Sequence, residues 1–184
     1  TNTVARLQAQ KSNQQIDVAI IDDGPMYQAI ALGFCAPIQG LPADDIYGTA
    51  RYKDDKAVAI GIVATGIMYN KKVFDERKWA APTSWKDLKD PKYKKQLVVP
   101  PLNNTYGLHA LVEYAREGGG GEKKIDAGFK TFKDEVGPNV LVYEPSPGKM
   151  TELFSSGQAT IAVWGSGRVK AFADTGFPVG FVYP

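Results

Sequence analysis

The 184-residue chain has a single cysteine, a single histidine and no excess of charge of either sign. With Cys35 alone, an internal disulfide and a thiolate metal cluster are both excluded, and the residue reads as a small buried apolar side chain. The 22 basic and 20 acidic residues leave a net charge of +2. The longest basic runs, Lys94-Lys95 and Lys123-Lys124, are too short to track a nucleic-acid backbone. No apolar run reaches membrane-spanning length, and the N-terminus lacks the charged and apolar regions of a signal peptide. Catalytic signatures are missing as well. No G-x-S-x-G elbow occurs, "PGKM" has Met150 where a phosphate loop needs Ser or Thr, and the third glycine of a dinucleotide fingerprint begun by Gly165 and Gly167 falls on Lys170. His109 sits beside Leu108 in an amphipathic segment and reads as a capped or half-exposed helical histidine, not a catalytic one. Asp22 and Asp23, being adjacent at a strand end, point apart, so no acid-base pair is expected of them.

What the sequence has is alternation. Apolar β-rich runs occur at 16–21, 58–64 running on to "GIMYN", 97–99, 140–143, 160–164 and 179–183. Between them lie helical faces: Leu108, Leu111, Val112 and Ala115; then Ile125, Phe129, Phe132 and Val136; then Met150, Leu153 and Phe154; then Val169, Phe172 and Ala173. The class expected is α/β. Val4 and Leu7 behind a threonine in "TNTVARLQAQ" indicate that the chain opens inside a short helix, as a fragment would. Gly33, Gly157 and Gly176 stand where a left-handed residue closes a helix, and Pro25 and Pro147 where a first turn tolerates proline. Gly118 to Gly121 read as a flexible surface turn.

Four junctions share one design. "IIDDGPM" passes Asp22, Asp23 and Gly24 into a helix beginning at Pro25, and "VVPPLNNTYG" passes Asn103, Asn104 and Thr105 into one beginning near Tyr106. "VYEPSPG" passes Glu144 and Ser146, and "AVWGSGR" passes Trp164, Gly165 and Ser166. In an open α/β sheet, ligands bind outside the carboxyl ends of the strands, so such junctions gather on one rim. Unpaired N–H groups at the helix starts favour a carboxylate or phosphate there, although the same polar residues also serve as ordinary caps. Trp164 either stacks on a ligand or fills the core between sheet and helix. Arg168, a cation in a first helical turn against the dipole, either reaches for an anion or is solvated.

Several stretches resemble one family. "GIMYNKKVF", "PTSWKDLKDPKYKKQLVVPP" and "LFSSGQATIAVWGSGRV" are similar to segments of the extracellular solute-binding proteins of ABC importers, in the branch of iron, polyamine, thiamine and phosphonate binders. The resemblance implies a type II periplasmic binding fold whose two lobes close on a solute and present it to a membrane permease. It divides the chain into a partial first lobe, 1–65, and a nearly complete second lobe, 66–184, which makes the chain a fragment open to self-association. Thr65 and Gly66 then lie where the chain crosses between lobes and join the candidate ligand residues. The implied function is capture of a small anionic or zwitterionic solute outside the cytoplasm, with no catalysis, cofactor or metal. Iron binders present neighbouring tyrosines, and no Tyr-Tyr pair occurs here. Polyamine binders resemble this chain at Trp164 but carry carboxylates where it has Asn104, Thr105 and Tyr106. An amine solute, held by Asp22, Asp23 or Glu144, stays the alternative, with an enzyme on the same scaffold behind it.

Overall fold

A β-prone run becomes a strand only where another backbone lies alongside to complete its ladder, and this condition separates the two parts of the chain. The computed structural model describes residues 2–184; Thr1, the first residue of the expected first lobe, lies outside them. Two units are distinct by their internal packing, Thr1–Ile62 and Val63–Pro184, a division three residues before the expected 65/66 boundary.

In the first unit, helix α1 (Asn2–Ala9) contacts helix α2 (Asp23–Ala31), which buries Met26 and Ala29. Gly33 closes α2 with φ +77°, and the Phe34 N–H returns to the Ala29 carbonyl at 2.9 Å. The runs at 16–21 and 58–64, expected as strands, are not: they are irregular, with bends at Asp17 and Ile60, apart from an isolated bridge between Arg51 and Val58. Val18 and Ile20 are 83% and 80% exposed, and Ile62 is 94% exposed. The local signal is the same as that of a strand, but beyond the contacts of Ala50 and Arg51 with Val58 and Ala59, and of Ser166 with Ala64, no ladder forms along either run among the described residues. Short 3-10 turns fill the rest of this unit, one of them clamped by a bidentate Arg51–Asp55 ion pair.

The second unit is built on a five-stranded sheet of strands β1 (Thr65–Asn70), β2 (Leu97–Val99), β3 (Val140–Tyr143), β4 (Ile161–Gly165) and β5 (Val179–Val182). Its order is β3-β2-β4-β1-β5. Strand β2 runs parallel to β3 and β4, whereas β1 is antiparallel to both its neighbours, β4 and β5. Period-2 alternation divides the side chains between two cores. Ile67, Leu97, Val99, Ile161 and Val163 face one core, closed by helix α3 (Lys71–Glu76), the 85–93 segment, helix α4 (Thr105–Glu117) and the residues after helix α5 (Asp126–Thr131). Met68, Val98, Ala162 and Trp164 face the other, closed by helix α6 (Pro147–Ser155) and helix α7 (Ser166–Ala173).

Helical faces differ in part from expectation. Met150, Leu153, Phe154, Val169 and Phe172 are buried as expected. Helix α4 instead buries Gly107, Ala110, Leu111, Tyr114 and Ala115, leaving Leu108 exposed; Phe129 and Ala173 are exposed too. After α5 the chain widens into a π-helical turn over Phe132–Val136, which rotates Phe132 and Val136 inward while Phe129 stays out. The four glycines are also not a loose turn. A Cβ on Gly118 would overlap Ala127, one on Gly120 would overlap the Lys124 carbonyl, and Gly121 pairs with Lys124.

Polar groups inside the first core are satisfied one by one. The Asn139 amide donates to the Leu88 and Asp90 carbonyls at 2.9 and 2.8 Å, tying the 85–93 segment to the chain entering β3. The fully buried Tyr114 hydroxyl donates to the Trp85 carbonyl at 3.1 Å. Tyr114→Phe strands that carbonyl and is expected to cost about 1–2 kcal/mol in urea unfolding. Burial also pushes the Tyr93 and Tyr114 phenols above their ordinary value of 10.0. Both keep their protons in the fold after the unfolded chain has lost them. Their stabilisation is whole below about pH 10 and falls as pH rises beyond it. A urea midpoint measured from pH 8 to 11 is expected to drop, less steeply in Tyr114→Phe.

Candidate functional site

The antiparallel insertion of β1 brings its first residue to the rim where the parallel strands end. Thr65 stands opposite Gly165, and Gly66 opposite Trp164. The junction is doubly fastened: the Ser166 N–H donates to the Ala64 carbonyl at 2.8 Å, and the Ala64 N–H to Ser166 Oγ at 3.2 Å. Ser166 was expected to offer its hydroxyl to a ligand; that oxygen already accepts one hydrogen bond and keeps its own hydrogen for another. Across the rim, Thr65 Oγ1 lies 2.8 Å from His109 Nδ1, sharing one hydrogen with it. His109 is therefore a rim residue. Sequence reasoning placed it in a helix but missed this partner, 44 positions away, because a helical face carries no sign of what stands opposite it.

Helix α4 begins at Thr105. Asn104 caps it, its Oδ1 accepting from the Tyr106 N–H at 3.0 Å. The helix start is pressed onto the exit of β2, since a Cβ on Gly107 would overlap the Pro100 and Pro101 carbonyls. Tyr106 then leans across the rim. Its ring meets the Trp164 ring edge-on at 5.5 Å, and a Cβ on Gly165 would fall inside it. The glycine after the tryptophan thus makes room for a protein side chain. Trp164 is 3% exposed and belongs to the core beneath α6 and α7, which favours the packing alternative for this ring. Gly167 is exposed, and a Cβ there meets nothing within 4 Å.

The remaining candidates divide. Gly66 is buried against the Val182 carbonyl and the Phe181 ring, so it serves the β1–β5 pairing. Glu144 follows β3 on the same rim, but its Oε1 accepts from the Ser146 N–H at 2.7 Å, and Ser146 Oγ in turn accepts from the Lys149 N–H at the start of α6. Arg168 is exposed; it lines a lateral groove between α6 and α7. Asp22, Asp23 and Gly24 belong to the first unit. There α2 begins at Asp23, two residues before the expected Pro25; Asp22 is its N-cap without a side-chain bond, and Asp23 accepts from the Gly24 N–H at 2.8 Å. In the same unit, burial holds the Cys35 thiol above its ordinary range, which fits an unreactive side chain.

Chemically the rim offers hydroxyls at Thr65, Thr105 and Ser166, an imidazole and the N–H groups opening a 13-residue helix. This is a donor set suited to anionic oxygen. Among the described residues, no three His, Cys, Asp or Glu side chains converge as a metal site would require. Because Gly165 exists for Tyr106, Gly165→Ala is expected to cost about 1–3 kcal/mol by overpacking. Combining it with Tyr106→Leu is expected to recover much of that loss in a double-mutant cycle of urea unfolding. Additive losses would show that the ring is not the reason for the glycine.

Solved structures share this fold. The periplasmic binding protein AfuA from Actinobacillus pleuropneumoniae, with exogenous fructose-6-phosphate bound, superposes at a TM-score of 0.82 with 23% identity, covering 100% of this chain and 58% of its own. An ABC transporter protein from Clostridium perfringens gives 0.78 at 22% identity over 98% and 58%. The ferric binding protein from Campylobacter jejuni gives 0.73 at 22% over 100% and 59%. The chain thus spans less than two thirds of each. No curated protein matches it by sequence. The fold is that of the type II periplasmic binding proteins, and no helix among the described residues is long and apolar enough to cross a membrane. A family model described as bacterial extracellular solute-binding protein matches residues 13–184, and the chain belongs to that family.

Proposed function

We propose that this chain is the greater part of the solute-binding component of an ABC importer, with Val63–Pro184 as the second lobe and Thr1–Ile62 as part of the first. It captures a small anionic, oxygen-rich solute outside the cytoplasm and hands it to a membrane permease without chemical change. One observation carries the reading: Thr65, Thr105, Ser166 and His109 gather hydroxyls and an imidazole beside the start of α4 at the carboxyl end of the sheet. Such a rim stabilises a phosphate or carboxylate through hydrogen bonds and the helix dipole. Glu144, the acidic member of that rim, is engaged with the backbone of its own turn.

The relatives' solutes narrow the choice. AfuA holds a sugar phosphate, while the Campylobacter protein is named for ferric ion. Hydroxyls and amide N–H groups suit the former, since ferric iron prefers anionic oxygen ligands. We therefore expect a phosphate ester.

Fructose-6-phosphate, glycerol phosphate, ferric citrate and spermidine, each in thermal-shift titration with the chain, test this. A ligand that binds the fold at 100 times its Kd adds about 2.7 kcal/mol and raises the melting temperature. The expected outcome is stabilisation by a phosphate ester, with the Thr105 and Ser166 amides moving in NMR spectra and the effect reduced about tenfold in affinity by Thr105→Ala. Stabilisation by spermidine alone would transfer the site to a cationic solute, and turnover of the bound ester would replace a binder by an enzyme.

A further inference from the structure

The groove that Arg168 lines is a separate feature from the rim. It lies between α6 and α7 on the helical face of the second unit and has a volume of about 160 Å³. Met150, Trp164 and Phe172, all buried, make an apolar floor, while Pro147, Thr151, Ala171 and Thr175 are exposed at the sides. Residues 168, 171 and 172 recur at helical spacing, so α7 turns one face toward the groove, with Thr175 just past the end of the helix.

The polar chemistry of this groove is unusually one-sided. The Thr151 hydroxyl donates to the Pro147 carbonyl at 3.0 Å, and the Thr175 hydroxyl to the Phe172 carbonyl at 2.7 Å. Both hydroxyl hydrogens are spent on their own helices. The acids nearest in sequence are engaged as well, Glu152 with Lys149 and Asp174 with Lys170. Arg168 alone is left over: among the described residues its guanidinium has no ion-pair or hydrogen-bond partner. It sits in the first turn of α7, where a cation is disfavoured by the helix dipole and gains nothing from the helix itself. A groove with an apolar floor and one unopposed planar cation at its lip is complementary to a single kind of small molecule.

We propose that this groove is a second binding site, for a small monocarboxylate bearing one ring or a branched chain of similar size. The apolar body lies on Met150, Trp164 and Phe172, and the carboxylate takes the Arg168 guanidinium in a bidentate pair. Volume sets the size limit: a dry apolar cavity of roughly 150 Å³ takes one benzene-sized ring. A di- or tricarboxylate would put its second charge on the apolar floor, and an amine would meet Arg168 as a like charge. The site is independent of the solute assigned to the rim, since Arg168 and Ala171 take no part in the hydrogen bonds around Thr65 and Ser166.

Benzoate is the probe, titrated into the uniformly ¹⁵N-labelled chain with benzamide and benzylamine as isosteric controls. We expect saturable shifts at the amides of Ala171, Phe172 and Thr175 and at the Trp164 indole, with a dissociation constant on the order of 1 mM for a ligand of this size. Arg168→Gln, an exposed change that leaves the packing alone, is expected to weaken benzoate about tenfold and to leave benzamide unchanged. Ala171→Trp, which fills the groove from its exposed side, is expected to abolish both while leaving phosphate-ester binding at the rim intact. Equal affinity for benzoate and benzamide would overturn the charge assignment. Absence of saturation by benzoate at 10 mM, roughly ten times that constant, would overturn the site, whatever the rim binds.

Discussion

The second unit depends on the insertion of one antiparallel strand into a sheet whose other neighbours run parallel. Strand β1 lies between β4 and β5, and this placement brings its first residue to the end where β2, β3 and β4 finish. Without it, the carboxyl rim would be made only of strand-to-helix turns. With it, the chain entering the unit passes through the rim itself, and Ala64 is held to Ser166 by two hydrogen bonds. Gly66 is part of the same constraint, because β5 approaches β1 so closely there that a side chain would strike the Val182 carbonyl.

The rim's chemistry follows from this geometry as much as from residue type. Thr65 and His109 share a hydrogen because β1 starts where α4 has completed its first turn. Neither is a strong ligand alone. Held together, they fix each other's orientation where α4 begins.

Much of this was legible in the sequence, and the rest failed for identifiable reasons. Residues 97–99, 140–143, 160–164 and 179–183 were readable as strands because their apolar runs are short and bounded by turn residues. The 150, 153, 154 spacing declared α6. Strand direction was not readable, since an apolar run looks the same in either sense, and the mixed sheet appears only when β1 finds its neighbours. Residues 16–21 and 58–64 carry the same local signal as true strands, yet a ladder is a non-local property and none forms. Leu108 and Phe129 fit helical faces by count, but the buried side is decided by what packs against it, and a π-helical turn shifts the count after Thr131. Of the candidate rim, the junction positions of Asn104, Thr105 and Ser166 were readable from their capping chemistry; that of His109 was not, because its partner is remote in sequence.

"TIAVWGSGRV" shows how one motif admits two readings between which only the packing around it discriminates. A tryptophan followed by Gly-Ser-Gly at a strand end suggests a ring and a bare backbone offered to a ligand. In the fold, β4 alternates, and Trp164 falls on the side of α6 and α7 with Ala162. Its ring packs edge-on with Tyr106 at the rim and also lines the floor of the Arg168 groove. Gly165 gives Tyr106 its space; Gly167 is in the open. Tyr106 could not reach Trp164 if position 165 carried a side chain, and without Tyr106 the rim would open directly onto the core beneath α7. The two glycines flanking Ser166 therefore have different tasks: the first closes the core behind the rim, and the second leaves the first turn of α7 exposed to solvent.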